Sequence, residues 1–411
     1  LDVDGAAVAC DDPITATACL LREGRIVAVK GIGGFHLAAD AMDEGVVRRL
    51  RDLKQRDAKP FAVMASSLDA VRRFAAPDDD EARLLATIAR PIVLLRKVSP
   101  FPLAPSVAPG NALIGVMLPY APLHPLLLAA TGRGALVLTS ANPCDEPIVR
   151  DNDEAVRRLA GIADAYLVSD RDILARADDS VTAFFGGAPR PIRRSRGYTP
   201  LPVTLPVSGP SVLAVGGDLK NAFCVTRGDE AFLGPHVGDL ANEATAAYFE
   251  EAVLHLCGLL DVRPSVIAHD LHPDYVSTRL ARRLANGPLA GARLVPVQHH
   301  AAHVLSCLAE HGRSGPAIGL ALDGTGWGPD GTSWGGEVLA IDGARWERLG
   351  RLRPIPLPGG DVAAREPWRI AVAMLAEMEK GTEKGTDTIS RRELVSVPFS
   401  SSVPLSALQA I

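Results

Sequence analysis

Two successive α/β domains are predicted for this 411-residue chain, and three observations carry the prediction. Short apolar runs rich in β-branched residues alternate with amphipathic helical stretches along most of the sequence. A proline-rich passage, "PRPIRRSRGYTPLPVTLPVSGP", divides two such series. The length allows two or three domains, each large enough to bury a core. Strand–helix–strand order points to helices layered around a mostly parallel sheet.

In the first series, "GRIVAVKG" reads as a buried strand ending in a glycine turn. "EGVVRRLRDLKQRD" follows as a helix with Val46, Val47, Leu50 and Leu53 on one face. "KPFAVMA", "PIVLL" and "ALVLTSA" read as further strands, closing a domain over residues 1–200. Residues 201–210 read as a linker. The second series spans 211–378 and opens with "SVLAVGGDLKNAFCV" and "EAFLGPHV", a strand–turn–strand pair. "NEATAAYFEEAVLHLCGLL" is a long helix capped by Asn242. Next come the strand "SVIAHD", a helix from about 274, the strand "RLVPVQ", a histidine-bearing helix and the strand "AIGLAL". Residues 379–411, rich in serine, threonine and charge without a sustained period, read as a poorly ordered tail.

Composition narrows the function classes. With 47% hydrophobic and 22% charged residues the chain has the make-up of a globular enzyme. A net charge of −5 leaves no global basic footprint, so a polyanion must bind in a local pocket and DNA is not an expected partner. Six scattered cysteines without a CxxC pair argue against a disulfide framework and fit a reducing compartment. The most apolar stretch is interrupted by Pro119, Pro122, His124 and Pro125, which argues against a membrane span. A cytoplasmic location is expected. The chain starts at Leu1 and is read as a fragment.

Several local patterns carry chemistry. Lys54, Arg56 and Lys59 crowd the end of a helix, where they suit either phosphate binding or a solvated, charge-favoured C-terminus. Ser140 and Asn142 end a buried strand, either facing a ligand at the sheet edge or forming a simple turn before Pro143. "KGIGGFH" lacks a full dinucleotide-binding spacing, and His36 there fits a structural role. Gly216, Gly217 and Asp218, and again Asp323, Gly324, Thr325 and Gly326, form strand-terminal loops that suit phosphate or a plain hairpin. In "VQHHAAHVLSCLAEHG", His299 and His303 stand four apart and share a helix face, either as a metal pair or as part of a histidine-rich helix.

Taken together, "KGIGGFHLAADA", "LKQRDAKPFAVM", "SANPCDEPIV", "RADDSV" and "PIRRSRGYTP" resemble the YrdC-like domain of the HypF family of hydrogenase-maturation carbamoyltransferases. "AVGGDLKNAFCV", "HDLHPDY", "VQHHAAH", "LALDGTGWGPDG" and "WGGEVL" resemble the first part of that family's transferase domain, of the actin/hexokinase-like (ASKHA) class. The resemblance implies an ATP site served by Lys54, Arg56, Ser140 and Asn142, with Lys59, Ser180, Arg194 and Arg196 as further phosphate contacts. It implies Mg²⁺ on the phosphates, and an iron or zinc ion on His299, His303 and Asp323. Gly216, Gly217, Asp218, Gly324, Thr325 and Gly326 are the implied phosphate loops of the second domain, and His300 is given a supporting role. Ser169 stands where the family often has histidine.

The implied reaction activates carbamoyl phosphate with ATP to carbamoyl-adenylate and passes the carbamoyl group to the C-terminal cysteine of a HypE-type acceptor. An O-carbamoyltransferase and a tRNA threonylcarbamoylation-type enzyme share these modules. A non-catalytic nucleotide-binding fragment is the rival of another class, with RNA binding suggested only by analogy of fold. The family pattern is expected to stop after about residue 377, leaving the second domain incomplete.

Overall fold

In the computed structural model of the chain, which describes residues 1–143 and 146–383, the first domain is built on one nine-stranded sheet. Its strands are β1 (Val27–Lys30), β2 (Phe35–Asp40), β3 (Ala62–Ala65), β4 (Ile92–Arg96), β5 (Leu113–Met117), β6 (Ala135–Ser140), β7 (Ala165–Leu167), β8 (Val181–Phe185) and β9 (Ala188–Arg193). They are ordered β7-β1-β2-β6-β3-β5-β4-β8-β9. Only β1 with β7, β3 with β5 and β4 with β8 run parallel, so the expectation of a mostly parallel sheet is corrected to a mixed one. The reason lies in the short "KGIGGFH" turn, which folds β2 back on β1 as a hairpin.

Helices cover both faces of this sheet. Phe35, Leu37 and Val63 pack toward the helix Glu44–Leu53, while Val29, Ala38 and Leu138 face Leu21 and Leu127 on the opposite side. Two-sided burial explains why β1 and β2 read as continuous apolar runs. Val46, Val47 and Leu50 are buried as the helical period predicts, but Leu53 at the helix end is exposed.

The second domain contains a five-stranded sheet of β10 (Pro202–Gly209), β11 (Val212–Ala214), β12 (Cys224–Leu233), β13 (Val266–Asp270) and β14 (Arg293–Val297), ordered β10-β12-β11-β13-β14. Residues 201–210 are therefore not a linker: Pro202–Gly209 pairs antiparallel with β12 at the sheet edge, where prolines lose no ladder bonds. The runs "CV" and "EAFL" merge into one ten-residue strand, β12. Asn242 caps the helix Glu243–Leu259 as expected, accepting from Thr245 N–H at 2.7 Å.

Beyond β14 the helix His299–Glu310 packs Ala301 and Val304 against a three-stranded antiparallel sheet. That sheet comprises β15 (Ala317–Ala321), β18 (Glu337–Asp342) and β19 (Arg345–Arg351), while β16 (Gly326–Trp327) and β17 (Ser333–Trp334) form a small hairpin. The last helix described is Trp368–Glu383, and most of the expected tail, residues 384–411, lies outside the described residues. Among the described residues no helix is long and apolar enough to cross a membrane.

Candidate functional site

The first candidate site forms where the helix Glu44–Leu53 ends beside the last residues of β6. Lys54 terminates the helix, and a positive φ of 48° at Gln55 turns the chain across the end of β6. The Lys54 ammonium is buried and donates to Ser140 O (2.9 Å), Asn142 O (2.8 Å) and Asn142 Oδ1 (3.3 Å). Ser140 Oγ donates to the same Asn142 Oδ1 at 2.8 Å, and Asn142 Nδ2 donates to Glu146 O at 2.6 Å. These four bonds bring Lys54, Ser140 and Asn142 together. The buried charge is compensated by carbonyl oxygens, which makes Lys54 the pin that fixes the turn.

Arg56 donates from Nε to Lys59 O at 2.9 Å, reaches Thr139 Oγ1 at 3.2 Å and lies 4.8 Å from the Phe61 ring centre. Beside it opens a pocket of about 260 Å³ lined by Arg56, Lys59, Phe61, Ser140, Asp178 and Arg193. Ile92, Leu94 and Leu138 form its apolar floor. One half can hold an aromatic base and the other can neutralise phosphate oxygens.

Three residues assigned by resemblance lie elsewhere. Ser180 is fully buried, donating to Arg196 O at 2.9 Å and accepting from Ser195 N–H at 2.8 Å, so its hydroxyl is spent in holding two strands. Arg196 pairs with Asp179 at 2.8 Å, donates to Ala89 O and Arg90 O, and stacks 3.5 Å from the Tyr120 ring centre. Arg194 turns toward the second domain and donates to Leu201 O at 2.8 Å. Among these arginines Arg193, the last residue of β9, lines the pocket, while Arg194 and Arg196 lie beyond the strand end and bond elsewhere. Arg193 donates to Asp178 Oδ2 at 2.6 Å.

Arg51 was also absent from the sequence reading. Its buried guanidinium donates to Arg56 O at 2.6 Å and Ser106 O at 3.1 Å, tying down the loop that bears Arg56 and Lys59. Its signal was an arginine beside Val47 and Leu50 on the buried side of the helix. His36 bonds to Asp179 Oδ2 at 3.0 Å within the core, in keeping with a structural role.

The second candidate site collects around the start of the helix His299–Glu310. Gln298 caps that helix, accepting from Ala301 N–H at 2.8 Å, and the following turn brings His303 beside His299. Their Nε2 atoms are 3.2 Å apart, and Asp323 Oδ2 lies 3.1 Å from His299 Nε2 and 3.9 Å from His303 Nε2. One ligand atom from each of the three lies within 4.8 Å of the others. His299 Nδ1 faces Asp270 Oδ2 at 2.7 Å, which leaves Nε2 as the ring's free lone pair when Nδ1 carries the proton. The hydrogen bond to Asp270 raises the imidazole's basicity against the opposing effect of burial. Two imidazole nitrogens and a carboxylate oxygen crowded in this way fit a divalent iron or zinc ion. His300 is buried behind them, its Nδ1 held by Gln298 at 3.1 Å, and burial followed by the neighbouring His299 lowers its basicity.

The glycine loops close around these histidines. A Cβ at Gly326 would stand 2.7 Å from His300 Cε1 and 2.8 Å from His299 Cβ, so only glycine lets β16 pass so close. Gly216 has φ +69°, and a Cβ there would meet Ala222 O at 2.6 Å. Gly217 lies beside His299, 3.8 Å from its Cε1 by the same measure. Asp218, however, accepts from Val276 N–H (2.8 Å) and Ser277 N–H (2.9 Å), where it caps the helix Val276–Asn286. Each carboxylate oxygen keeps a further lone pair, so this cap is compatible with the cofactor role that the resemblance implies. Asp323 holds the Gly324 loop through its carbonyl, which accepts from Gly336 N–H at 3.0 Å, and Thr325 Oγ1 lies 2.5 Å from Ser333 Oγ.

Three family models tile nearly all of this sequence. The Sua5/YciO/YrdC family, described as telomere recombination, matches residues 19–195. The HypF Kae1-like domain matches 208–310, and the carbamoyltransferase Kae1-like domain, second subdomain, matches 319–401. The last match passes residue 378, correcting the expectation that the family pattern stops there. Carbamoyltransferase HypF2 of Cupriavidus necator is 52% identical over 401 residues, covering 93% of this chain and 49% of that protein. Carbamoyltransferase HypF of Rhizobium leguminosarum bv. viciae is 52% identical over 369 residues, covering 88% and 48%. A crystal structure of full-length HypF in a phosphate- and nucleotide-bound form aligns with TM-score 0.83 at 44% identity, covering 93% of this chain and 60% of that one. Crystalline HypF of T. kodakarensis aligns with TM-score 0.86 at 42% identity, covering 92% and 49%. The chain spans about half the length of the curated relatives it matches. With a Sua5/YrdC-type domain joined to HypF Kae1-like domains, the chain belongs to the HypF carbamoyltransferase family.

Proposed function

We propose that this chain carries the ATP-dependent carbamoyl activation and transfer of hydrogenase maturation. In the first step water hydrolyses carbamoyl phosphate to carbamate and phosphate, and a carbamate oxygen then attacks the α-phosphorus of ATP. The new P–O bond gives carbamoyl-adenylate, and the α–β bridge breaks to release pyrophosphate. In the second step the thiolate of a HypE-type acceptor's C-terminal cysteine attacks the carbamoyl carbon, and AMP leaves.

The observation that carries this reading is the pocket in which Arg56, Lys59, Arg193 and Ser140 converge over an apolar floor. Adenylation asks little covalent chemistry of a protein. It needs alignment of the carboxylate and neutralisation of charge growing on the leaving phosphates, ideally with Mg²⁺. Arg56, Lys59 and Arg193 supply the charge, while Lys54 holds the Ser140–Asn142 turn that presents the hydroxyl. The phosphate- and nucleotide-bound relative supports a nucleotide in this domain organisation. In the second domain, His299, His303 and Asp323 would hold an iron or zinc ion, which supplies Lewis-acid polarisation of a bound oxygen. Asp270 keeps the His299 ring oriented for that role.

The test is ATP–pyrophosphate exchange dependent on a carbamoyl donor. Lys54→Ala and Ser140→Ala are each expected to lower exchange by about 100-fold, the scale of losing a positioning or oxyanion contact. Unchanged exchange in both variants overturns the pocket assignment.

A further inference from the structure

The activation pocket is continued by a smaller recess whose far wall belongs to the second domain. The recess, about 50 Å³, is lined by Ser140, Asn142, Asp178, His236, Val237 and Tyr248, among others. Ser140 and Asp178 line both spaces, so the two adjoin at these residues. His236 follows the end of β12, and both domains hold its backbone. Its N–H donates to Arg194 O at 3.0 Å, and the next residue, Val237, donates to Asn221 O at 2.9 Å.

Resting on the adenylation reading, we propose that His236 is a substrate-contacting residue of the first domain's reaction. With Ser140 and Asn142 it forms a subsite for the small planar carbamate that attacks ATP. Size and chemistry both favour this occupant. A recess of about 50 Å³ holds about four water-sized groups, which matches H₂N–CO₂⁻. The walls offer the second Asn142 Nδ2 proton, a Ser140 Oγ lone pair and the His236 imidazole, which match the mixed donor and acceptor edges of carbamate. Asp178 lines the same space, where its Oδ2 accepts from Arg193 and its Oδ1 from Asp179 N–H. Arg193 and Lys59, on the ATP side, attract the carboxylate. Burial, followed by the charge of Arg193, holds the His236 imidazole below its ordinary basicity, with Lys59 acting the same way and Asp178 and Asp239 opposing them. A neutral ring therefore faces the subsite. The consequence is that the second domain completes the first domain's substrate specificity.

The experiment measures carbamate-dependent ATP–pyrophosphate exchange with the full chain, using ammonium bicarbonate as the carbamate source. His236→Ala is expected to raise the KM for carbamate about tenfold or more while leaving the KM for ATP unchanged, the scale of one lost hydrogen bond. His236→Gln, which keeps a donor and an acceptor, is expected to recover most of that loss. Wild-type thermal melting and an unchanged ATP KM in both variants separate lost contact from lost fold. Replacing ammonium by threonine is expected to give no exchange. Wild-type carbamate KM in His236→Ala, an equal rise in both KM values, or exchange supported by threonine overturns the subsite while leaving the adenylation reading standing. Absence of carbamate-dependent exchange in the wild type overturns both.

Discussion

Asp179 shows how a residue beside the pocket is held by charge rather than by packing. It is buried, with His36 Nε2 at 3.0 Å on one oxygen and the Arg196 guanidinium at 2.8 Å on the other. Burial pushes its carboxyl upward, but the His36 hydrogen bond and the charges of His36 and Arg196 outweigh it and hold it far below 3.8. A carboxylate depressed in the folded state contributes stability that is fully present above its unfolded value of 3.8 and lost as pH falls through the folded one. Asp179→Asn is expected to cost about 3–5 kcal/mol at neutral pH, because it strands Arg196 and His36 without a counter-charge. Chemical denaturation as a function of pH checks this, and the gap between wild type and variant should narrow below pH 3.8. A gap that stays constant across that range removes the charge account. None of this was legible in sequence, where His36 and Asp179 stand 143 residues apart.

At the scale of elements, the second site depends on one strand end, one helix start and one glycine loop. β13 ends in Asp270, the helix His299–Glu310 begins with its ligand pair, and the loop after β15 delivers Asp323. The i,i+4 spacing made the histidine pair legible, because a helix necessarily puts both rings on one face. Asp270 was not legible as their support, since parallel pairing of β13 with β14 brings it beside the start of the next helix. Asp270→Asn is expected to weaken zinc binding about 10–100-fold, as measured by competition with a chromophoric chelator. Affinity equal to wild type would show that His299 is oriented by something else. The strand Pro202–Gly209 is masked by its composition for a related reason. Prolines and serines mark a linker by composition, yet an edge strand tolerates them because its outer amides need no partner.

Across the whole molecule, the two domains are joined by charge as well as by chain. Glu251, on the helix Glu243–Leu259, pairs with Arg150 and, at 2.9 Å, with Arg176, both from the first domain. Arg176 lies 3.6 Å from Glu154, and Arg158 links Glu154 to Glu146, whose carbonyl accepts from Asn142. The activation-site turn is thereby connected to the second domain through a ladder of ion pairs. Glu251→Ala is expected to loosen the interface by roughly 1–2 kcal/mol, after allowance for its partial exposure. Scanning calorimetry should then show the variant's transition broaden or split, with the difference from wild type largest at low salt, where the ion pairs are least screened. Superimposable transitions would mean that apolar contact alone joins the domains.

The sequence by itself determined the two α/β domains, the family, the Lys54–Arg56 and Ser140–Asn142 pair of motifs, and the histidine–aspartate trio. The domains and the His299–His303 pair rest on local periodicity and short spacing, which a helix or strand converts directly into shared faces. The joining of the two motifs, and of Asp323 to the histidines, rests on the family resemblance. Only the tertiary structure decided that Arg193, not Arg194 or Arg196, lines the pocket, that Ser180 and Asp218 make structural bonds, and that Arg51 anchors the cationic loop. It also placed His236 of the second domain and Ser140 of the first around one recess. The physical reason is that hydrogen-bond partners are set by the pairing of distant strands and the docking of domains, and one residue of register reverses which side of a sheet a guanidinium faces.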